Sequence, residues 1–148
     1  MAGRRTTQFL NQSELDVWDE LVNRSPQGTL FDRSVWLRLI SAACGAEFRV
    51  LVCLEGESAV GGCALWLKSV SPRRLVSPPP LTQYHGVVLA DSPNASGARV
   101  GERHRAAIIS AIAEAIEPEF ASIRLVHHPT LYDVRPLMWR GWRASPRY

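Results

Sequence analysis

Lysine is almost missing from this chain: Lys68 is the only one among 17 cationic side chains, and the arginines that make up the rest form no run. A net charge of +3 spread in this way gives no basic stripe of the kind that tracks a nucleic-acid backbone, and it tolerates an anionic substrate without requiring one. Long apolar runs are missing too. No stretch reaches the roughly 18 consecutive apolar residues that cross a bilayer, and no apolar segment of signal-peptide length follows the arginines Arg4 and Arg5. These absences predict a cytoplasmic protein without a membrane span. Cysteine is scarce and odd in number: Cys44, Cys53 and Cys63 fit neither a disulfide framework nor a zinc-ligand spacing. Each sits in an apolar run and reads as a small buried core residue. What remains, 46% hydrophobic residues in a chain of 148, suffices for one ordinary core, so residues 1–148 read as a single domain.

Periodicity orders that domain. Ser13, with Asp16 three residues on, opens a helix whose Leu15, Trp18, Leu21 and Val22 recur at helical spacing, and Ser25-Pro26-Gln27-Gly28 ends it. Asp32 or Ser34 caps a second helix with an apolar face of Trp36, Leu39, Ile40 and Ala43, closed by Gly45. The period then falls from about 3.6 to 2. Phe48 to Leu54 and Ala59 to Val70 form a hairpin across Glu55-Gly56-Glu57, and Gly61-Gly62 inside the return strand marks a bulge or a close backbone approach. Ser77-Pro78-Pro79-Pro80 is rigid and extended, and a short strand follows from Gly86 to Ala90. After the polar loop Asp91 to Gly101, Ile108, Ile109, Ile112 and Ile116 mark a third helix that Pro118 terminates; Ile123, Leu125 and His127 then alternate as a strand.

The last sixteen residues, DVRPLMWRGWRASPRY, hold four arginines and two tryptophans, a mixture suited to a docking seam, and residues 143–148 read as the first part of a strand. Trp36, Trp66, Trp139 and Trp142 read as packing residues of the core or of that seam.

Trp18 with Asp19 to Val22, then Ser25 to Phe31 and Trp36-Leu37, the hairpin carrying Gly61-Gly62, Pro79-Pro80-Leu81-Thr82-Gln83-Tyr84-His85-Gly86, and finally Asp133-Val134-Arg135-Pro136 with Trp139 and Gly141 follow one another along nearly the whole chain. This series resembles the N-terminal half of Fem-type peptidoglycan-bridge aminoacyltransferases and their relatives in the GNAT acyltransferase superfamily. The resemblance implies an α+β fold, a GNAT-like mixed and mainly antiparallel sheet flanked by about three helices, as one half of a usually tandem arrangement. Residues 133–148 would form the junction to a second half, missing here or supplied by a partner. The implied reaction moves an acyl or aminoacyl group, from acyl-CoA or aminoacyl-tRNA as donor substrate, to an amine of a cell-wall precursor or another small acceptor. This half would contribute acceptor binding, with tRNA entering only as carrier of the donor group.

Members with a CoA site carry a Q/R-x-x-G-x-G/A loop before the third helix, whose amides grip the pyrophosphate. Asp91 to Gly101 stands in that place without the pattern and includes Pro93, which donates no amide, so no cofactor site is expected in this half. Substrate binding is expected along Gln83, Tyr84 and His85, polar groups on a rigid strand end in the segment that the family places along its cleft, with Arg135 near one end. Tyr84 is the tyrosine best placed to donate a proton. His85 binds substrate or serves as a satisfied structural residue at a strand end. Arg135 either clamps an anionic group bidentately or pairs with Asp133. His127 and His128, adjacent on a strand, face opposite sides and cannot share a metal, and His104 lies at the exposed start of a helix. No catalytic residue and no metal ligand is assigned. Two other readings stand beside this one: a free-standing acyltransferase dimerising through its C-terminal strand, and a non-catalytic binding or regulatory module.

Overall fold

The computed structural model describes residues 4–68, 74–91 and 98–147. Its sheet is built around one long hairpin. Strand β2 (Glu47–Glu55) pairs antiparallel with β3 (Ser58–Lys68), and β1 (Arg5–Phe9) lies antiparallel on the other edge of β2. β3 is shared by two short partners: β4 (Leu75–Val76) pairs with its end at Leu67 and Lys68, and β5 (Val87–Leu89) with Gly61, Gly62 and Cys63. Strand β6 (Ser122–Ile123) runs parallel to β4, and a further bridge joins His85 to Val126. The expected strand through Leu125 and His127 is therefore short, because it follows β4 for only two residues before the chain between β4 and β5 swings out.

Alternation along β2 and β3 divides the core into two layers. Phe48, Val50, Val52, Ala64 and Trp66 face helices α1 (Leu15–Arg24) and α2 (Ser34–Cys44). Leu51, Cys53, Cys63 and Leu65 face helix α3 (Ala98–Ile116), whose Ile108, Ile109, Ile112 and Ile116 are buried, and Leu137 of the short helix α4 (Arg135–Met138). Both faces of the hairpin are thus covered, as its apolar runs require. Gly61 and Gly62 let the helices come close from opposite sides. A Cβ on Gly61 would stand 2.6 Å from Ile108, and one on Gly62 2.5 Å from the Leu51 carbonyl and 2.9 Å from the Trp18 ring. The register shift falls at the same place: Cys53 pairs with Gly61 and Leu54 with Ala59, so Val60 of β3 is the extra residue of a bulge beside Gly61.

Several elements depart from the sequence pattern. β1 has a single apolar residue in Arg-Thr-Thr-Gln-Phe, which carries no strand signal; its strand state comes from pairing with β2. The α1 helix buries the four residues expected, but a 3-10 turn at Gln12–Glu14 precedes it, with the Asn11 amide donating to the Glu14 carboxylate at 2.8 Å. α2 buries Ser34, Leu37, Ile40 and Ser41, not the face containing Leu39 and Ala43; Leu39 is 62% exposed. Asp19 causes the rotation by accepting the Ser34 amide at 2.8 Å and its hydroxyl at 2.5 Å, which turns that side of α2 toward α1. Cys44 is exposed at the helix end, and only Cys53 and Cys63 are core residues. Burial pushes the Cys53 thiol up to about 11 and that of Cys63 higher still.

A fourth helix, α4, lies upstream of the expected strand start, and residues 143–147, where that strand was expected, join no ladder. The segment is a strap on α3. Leu137 of the strap is buried in the same core as Leu131, and Glu117 accepts from Arg140 at 2.9 and 2.7 Å and from the Trp142 indole at 2.8 Å. No described helix is long and apolar enough to cross a membrane.

Candidate functional site

Three connections converge at the end of the sheet where β5 and the Ser122–His127 segment part: the turn after α1, the loop leading into β5, and the loop from His127 to Asp133. The turn after α1 contributes Gln27, buried despite its polarity. Its Oε1 accepts the Leu89 amide of β5 at 3.1 Å, and its Nε2 donates to the Thr130 hydroxyl at 3.2 Å, a link between residues 103 apart in sequence. Thr130 in turn orients His128. Its amide, which can only donate, reaches His128 Nδ1 at 3.2 Å, and its hydroxyl lies 2.8 Å from the same nitrogen. A neutral His128 therefore carries its proton on Nε2.

Tyr84 stands edge-on to the His128 ring, with 4.8 Å between centroids and 63° between planes. Gln83 donates from Nε2 to the Tyr84 hydroxyl at 3.2 Å, which leaves the phenolic proton free to be given elsewhere. Beside them Trp36 donates from its indole to the Thr82 hydroxyl at 3.0 Å and so ties the loop to α2. Behind this cluster lies a cavity of ≈ 30 Å³, bordered by Gln27, Leu89, Arg105, Thr130, Tyr132 and Asp133. It has room for about two water molecules.

Of the residues expected to bind substrate, Gln83 and Tyr84 are brought together at this surface. His85 is turned away from them into the core at 1% exposure, where its Nε2 accepts the Trp66 amide at 3.0 Å. The ring fills the ladder position left open while residues 77–84 loop outward, and burial pushes its pKa down to about 4, so it is neutral. His127 does the same for the next partner. Its Nδ1 accepts the Val87 amide at 3.1 Å, and burial pushes it down to about 4 as well. Arg135 stands apart, exposed and held by Asp133 through bonds of 2.8 and 2.7 Å. Those bonds hold the Asp133 carboxyl below its usual range, and Arg105 adds to the effect. His104 lies 3.5 Å from Glu55, which also accepts from Arg5 at 2.8 Å, well away from the cluster. Among the described residues no three of His, Cys, Asp and Glu gather closely enough to hold a metal ion. Of the Asp91–Gly101 segment, residues 92–97 lie outside the described residues.

Sequence reasoning missed Gln27, His128 and Thr130. Gln27 stood in a stretch read as a helix stop and as part of the resemblance, with no role of its own. The one local sign was the His127-His128 pair, whose opposite facing sends one ring inward and the other to the surface.

Two solved structures share this architecture over nearly the whole chain. A Trypanosoma brucei acetyltransferase superposes with a TM-score of 0.52 at 17% identity, covering 98% of this chain and 96% of its own. The enzyme AAC(6')-Iy, solved with the bisubstrate analogue CoA-S-monomethyl-acetylneamine, gives 0.52 at 13% identity, covering 99% and 95%. The fold is that of the GNAT acetyltransferases. At such identities the likeness is one of fold, and no family model or curated protein matches the sequence. Within this fold the converging loops bring the rings of Tyr84 and His128, each carrying a hydrogen-bond donor, into contact at a partly open surface.

Proposed function

We propose that this domain transfers an acyl group from an activated ester or thioester to an amine, with the acceptor held along Gln83 and Tyr84 beside His128. The observation that carries the reading is the Gln27–Thr130–His128–Tyr84 chain of contacts, assembled from distant segments at one end of an acetyltransferase fold. Such a transfer needs few protein groups, because the donor carbonyl is already activated. The amine nitrogen attacks that carbon, the bond to the leaving sulfur or oxygen breaks, and the leaving atom takes up a proton while the amine loses one. Tyr84 is the hydroxyl the site offers for the first of these proton transfers. His128 Nε2, with its proton fixed by Thr130, is a donor for the negative charge that develops on the carbonyl oxygen.

In its finer form the proposal is a Fem-type transferase half that supplies acceptor binding, with a cell-wall precursor amine as acceptor and Arg135 receiving an anionic group by exchange for Asp133. A second half, or a second copy, would dock on residues 133–148. His85 serves this site as a strut beneath the strand end. Acyl-CoA and aminoacyl-tRNA are the candidate donors.

The test is incubation with acetyl-CoA or an aminoacyl-tRNA and a panel of amines that includes a lysine-bearing cell-wall peptide, with acylated product read by mass spectrometry. Product formation that falls at least about tenfold in Tyr84→Phe supports the reading. Absence of transfer from either donor, with binding of the peptide retained, leaves a non-catalytic binding module.

A further inference from the structure

Strand β1 ends the sheet on one side, and its outer edge has no strand partner among the described residues. Which backbone groups stand on that edge follows from the pairing with β2. Leu10 donates its amide to the Val50 carbonyl at 2.9 Å, one residue beyond the Phe9–Leu51 pair. Alternation therefore turns the backbone of Gln8 and Thr6 toward β2 and that of Arg5, Thr7 and Phe9 outward. Natural edges are commonly blunted by lysine, proline, a bulge or a covering element. β1 has neither lysine nor proline, and its register with β2 runs without a shift. Beside it lies an open groove of ≈ 690 Å³, between Arg5–Thr7 and the side of α3 that carries Ala107, Ser110, Ala111, Glu114 and Ala115.

Helix α3 runs alongside β1. At one end Glu55 accepts from Arg5 at 2.8 Å and lies 3.5 Å from His104. At the other, Arg49 sits 3.7 Å over the Phe9 ring and 3.8 Å from Glu119, just past the helix. The α3 wall from Ala107 to Ala115 is about 12 Å long, near the roughly 13 Å between the ends of a five-residue strand. We propose that the occupant of this edge is β1 of a second copy, laid antiparallel about a two-fold axis at Thr7. In that register Thr7 faces Thr7, Arg5 faces Phe9 and Thr6 faces Gln8. Every outward-turned residue meets another, so each such pair exchanges both of its backbone bonds. No like charges stand opposite one another, and the Thr–Thr and arginine–aromatic pairs are favourable across strands. The one charge of the strand also falls well. Arg5 of the second copy arrives at the Phe9 end of the groove, where Glu114 stands on the α3 wall, and Glu55 takes its Nε and Nη2 but leaves Nη1. Both α3 helices then lie on one face of a continuous sheet with their alanine sides toward each other, and small side chains leave that approach open. Two-fold symmetry closes the pairing, which makes a dimer and not a fibre. It is separate from the seam at residues 133–148, because it is made of backbone bonds.

The test uses the full chain, labelled with nitrogen-15, in added salt and as both parent and Trp139→Ala, so that the strap seam is weakened and read separately. Sedimentation should show a dimer at micromolar concentration in both. Amide exchange with solvent then identifies the edge: the Arg5, Thr7 and Phe9 amides should be protected only at concentrations where the dimer forms, and those of Thr6 and Gln8 at every concentration. Thr7→Pro removes an outward N–H and leaves the bonds between β1 and β2 in place, so the dimer Kd should rise at least about tenfold. Thr7→Glu sets two carboxylates opposite each other across the axis and should weaken the dimer likewise without altering the backbone, which guards against a proline variant that fails to fold. A monomer at all concentrations overturns the proposal, as does a dimer in which the Thr7 and Phe9 amides exchange freely and both Thr7 variants associate like the parent. Protection of those amides at every dilution in a monomeric chain would place a segment of the same chain on the edge and overturns it too.

Discussion

A histidine ring nitrogen stands at His85 where a strand would place a carbonyl, and that substitution works only while the ring is neutral. Protonated, Nε2 could not accept the Trp66 amide, and the same holds for His127 Nδ1 and Val87. Both rings have a folded pKa of about 4 against an ordinary 6.5, so their contribution to stability is complete above pH 6.5 and is lost as pH falls toward 4. Asp32 opposes this. Buried and raised to about 6 from 3.8, it stabilises the fold most when protonated and loses that contribution as pH rises through 6. Two rings outweigh one carboxyl, so urea denaturation should show stability falling between pH 6.5 and 4.5, by roughly 2 to 4 kcal/mol, since each tenfold change in proton affinity is worth about 1.4 kcal/mol. The slope should shrink in His85→Gln, and a flat profile would refute this account of both rings. Tyr84 contrasts with these two. It is only partly buried and loses a single hydrogen bond from Gln83 as Tyr84→Phe, so the melting temperature should move by a few degrees at most while transfer falls.

The hairpin of β2 and β3 carries the fold because both of its faces receive helices, and Gly61 and Gly62 set how near they come. Their substitution separates the two sides of the sheet. In Gly62→Ala the new methyl meets the Leu51 carbonyl and the Trp18 ring, neither of which can move without shifting β2 or α1. In Gly61→Ala it meets first the Cγ2 methyl of Ile108, a side-chain group on α3 and not strand backbone. Chemical denaturation should therefore rank Gly62→Ala as the more damaging, at about 2 kcal/mol or more, and Gly61→Ala below it; the reverse order would mean that α3 is held more rigidly than α1. The α4 strap makes a second case. Trp142→Phe keeps much of the ring packing and removes the indole bond to Glu117, which Arg140 also holds, so it should cost about 1 kcal/mol.

At the scale of the whole molecule, charge is unevenly placed. Asp133 to Tyr148 holds four arginines and one acid, a sum of +3 that equals the net charge of the chain, so the remainder is neutral. On the strap's outer side Trp139 is 73% exposed, Tyr132 75% and Met138 51%, and among the described residues Arg143 and Arg147 form no ion pair. Exposed aromatic and arginine side chains of this kind are typical anchors of protein interfaces. The proposed docking of a second half or second copy predicts a concentration-dependent mass in light scattering at micromolar levels, reduced by Trp139→Ala and by added salt. A salt-independent monomer would remove self-association and leave the seam to a different chain.

Local pattern was enough to separate helices from strands, to assign the alternating faces of β2 and β3 and to single out Gly61-Gly62 as a close approach, because each of these rests on spacings of a few residues. The order of motifs along the chain also pointed to the acyltransferase fold that the solved structures share. Rotation of α2 was not legible, since its sequence offers two apolar faces and the choice was made by Asp19 on another helix. Nor was the inward turn of His85, which depends on where residues 77–84 leave the sheet. The site itself is the clearest case. Gln27 meets Thr130 across 103 residues, and Tyr84 meets His128 across β5, α3 and β6. No local signature marks such pairs, because what brings them together is the parting of β5 from the Ser122–His127 segment, a property of the folded sheet alone.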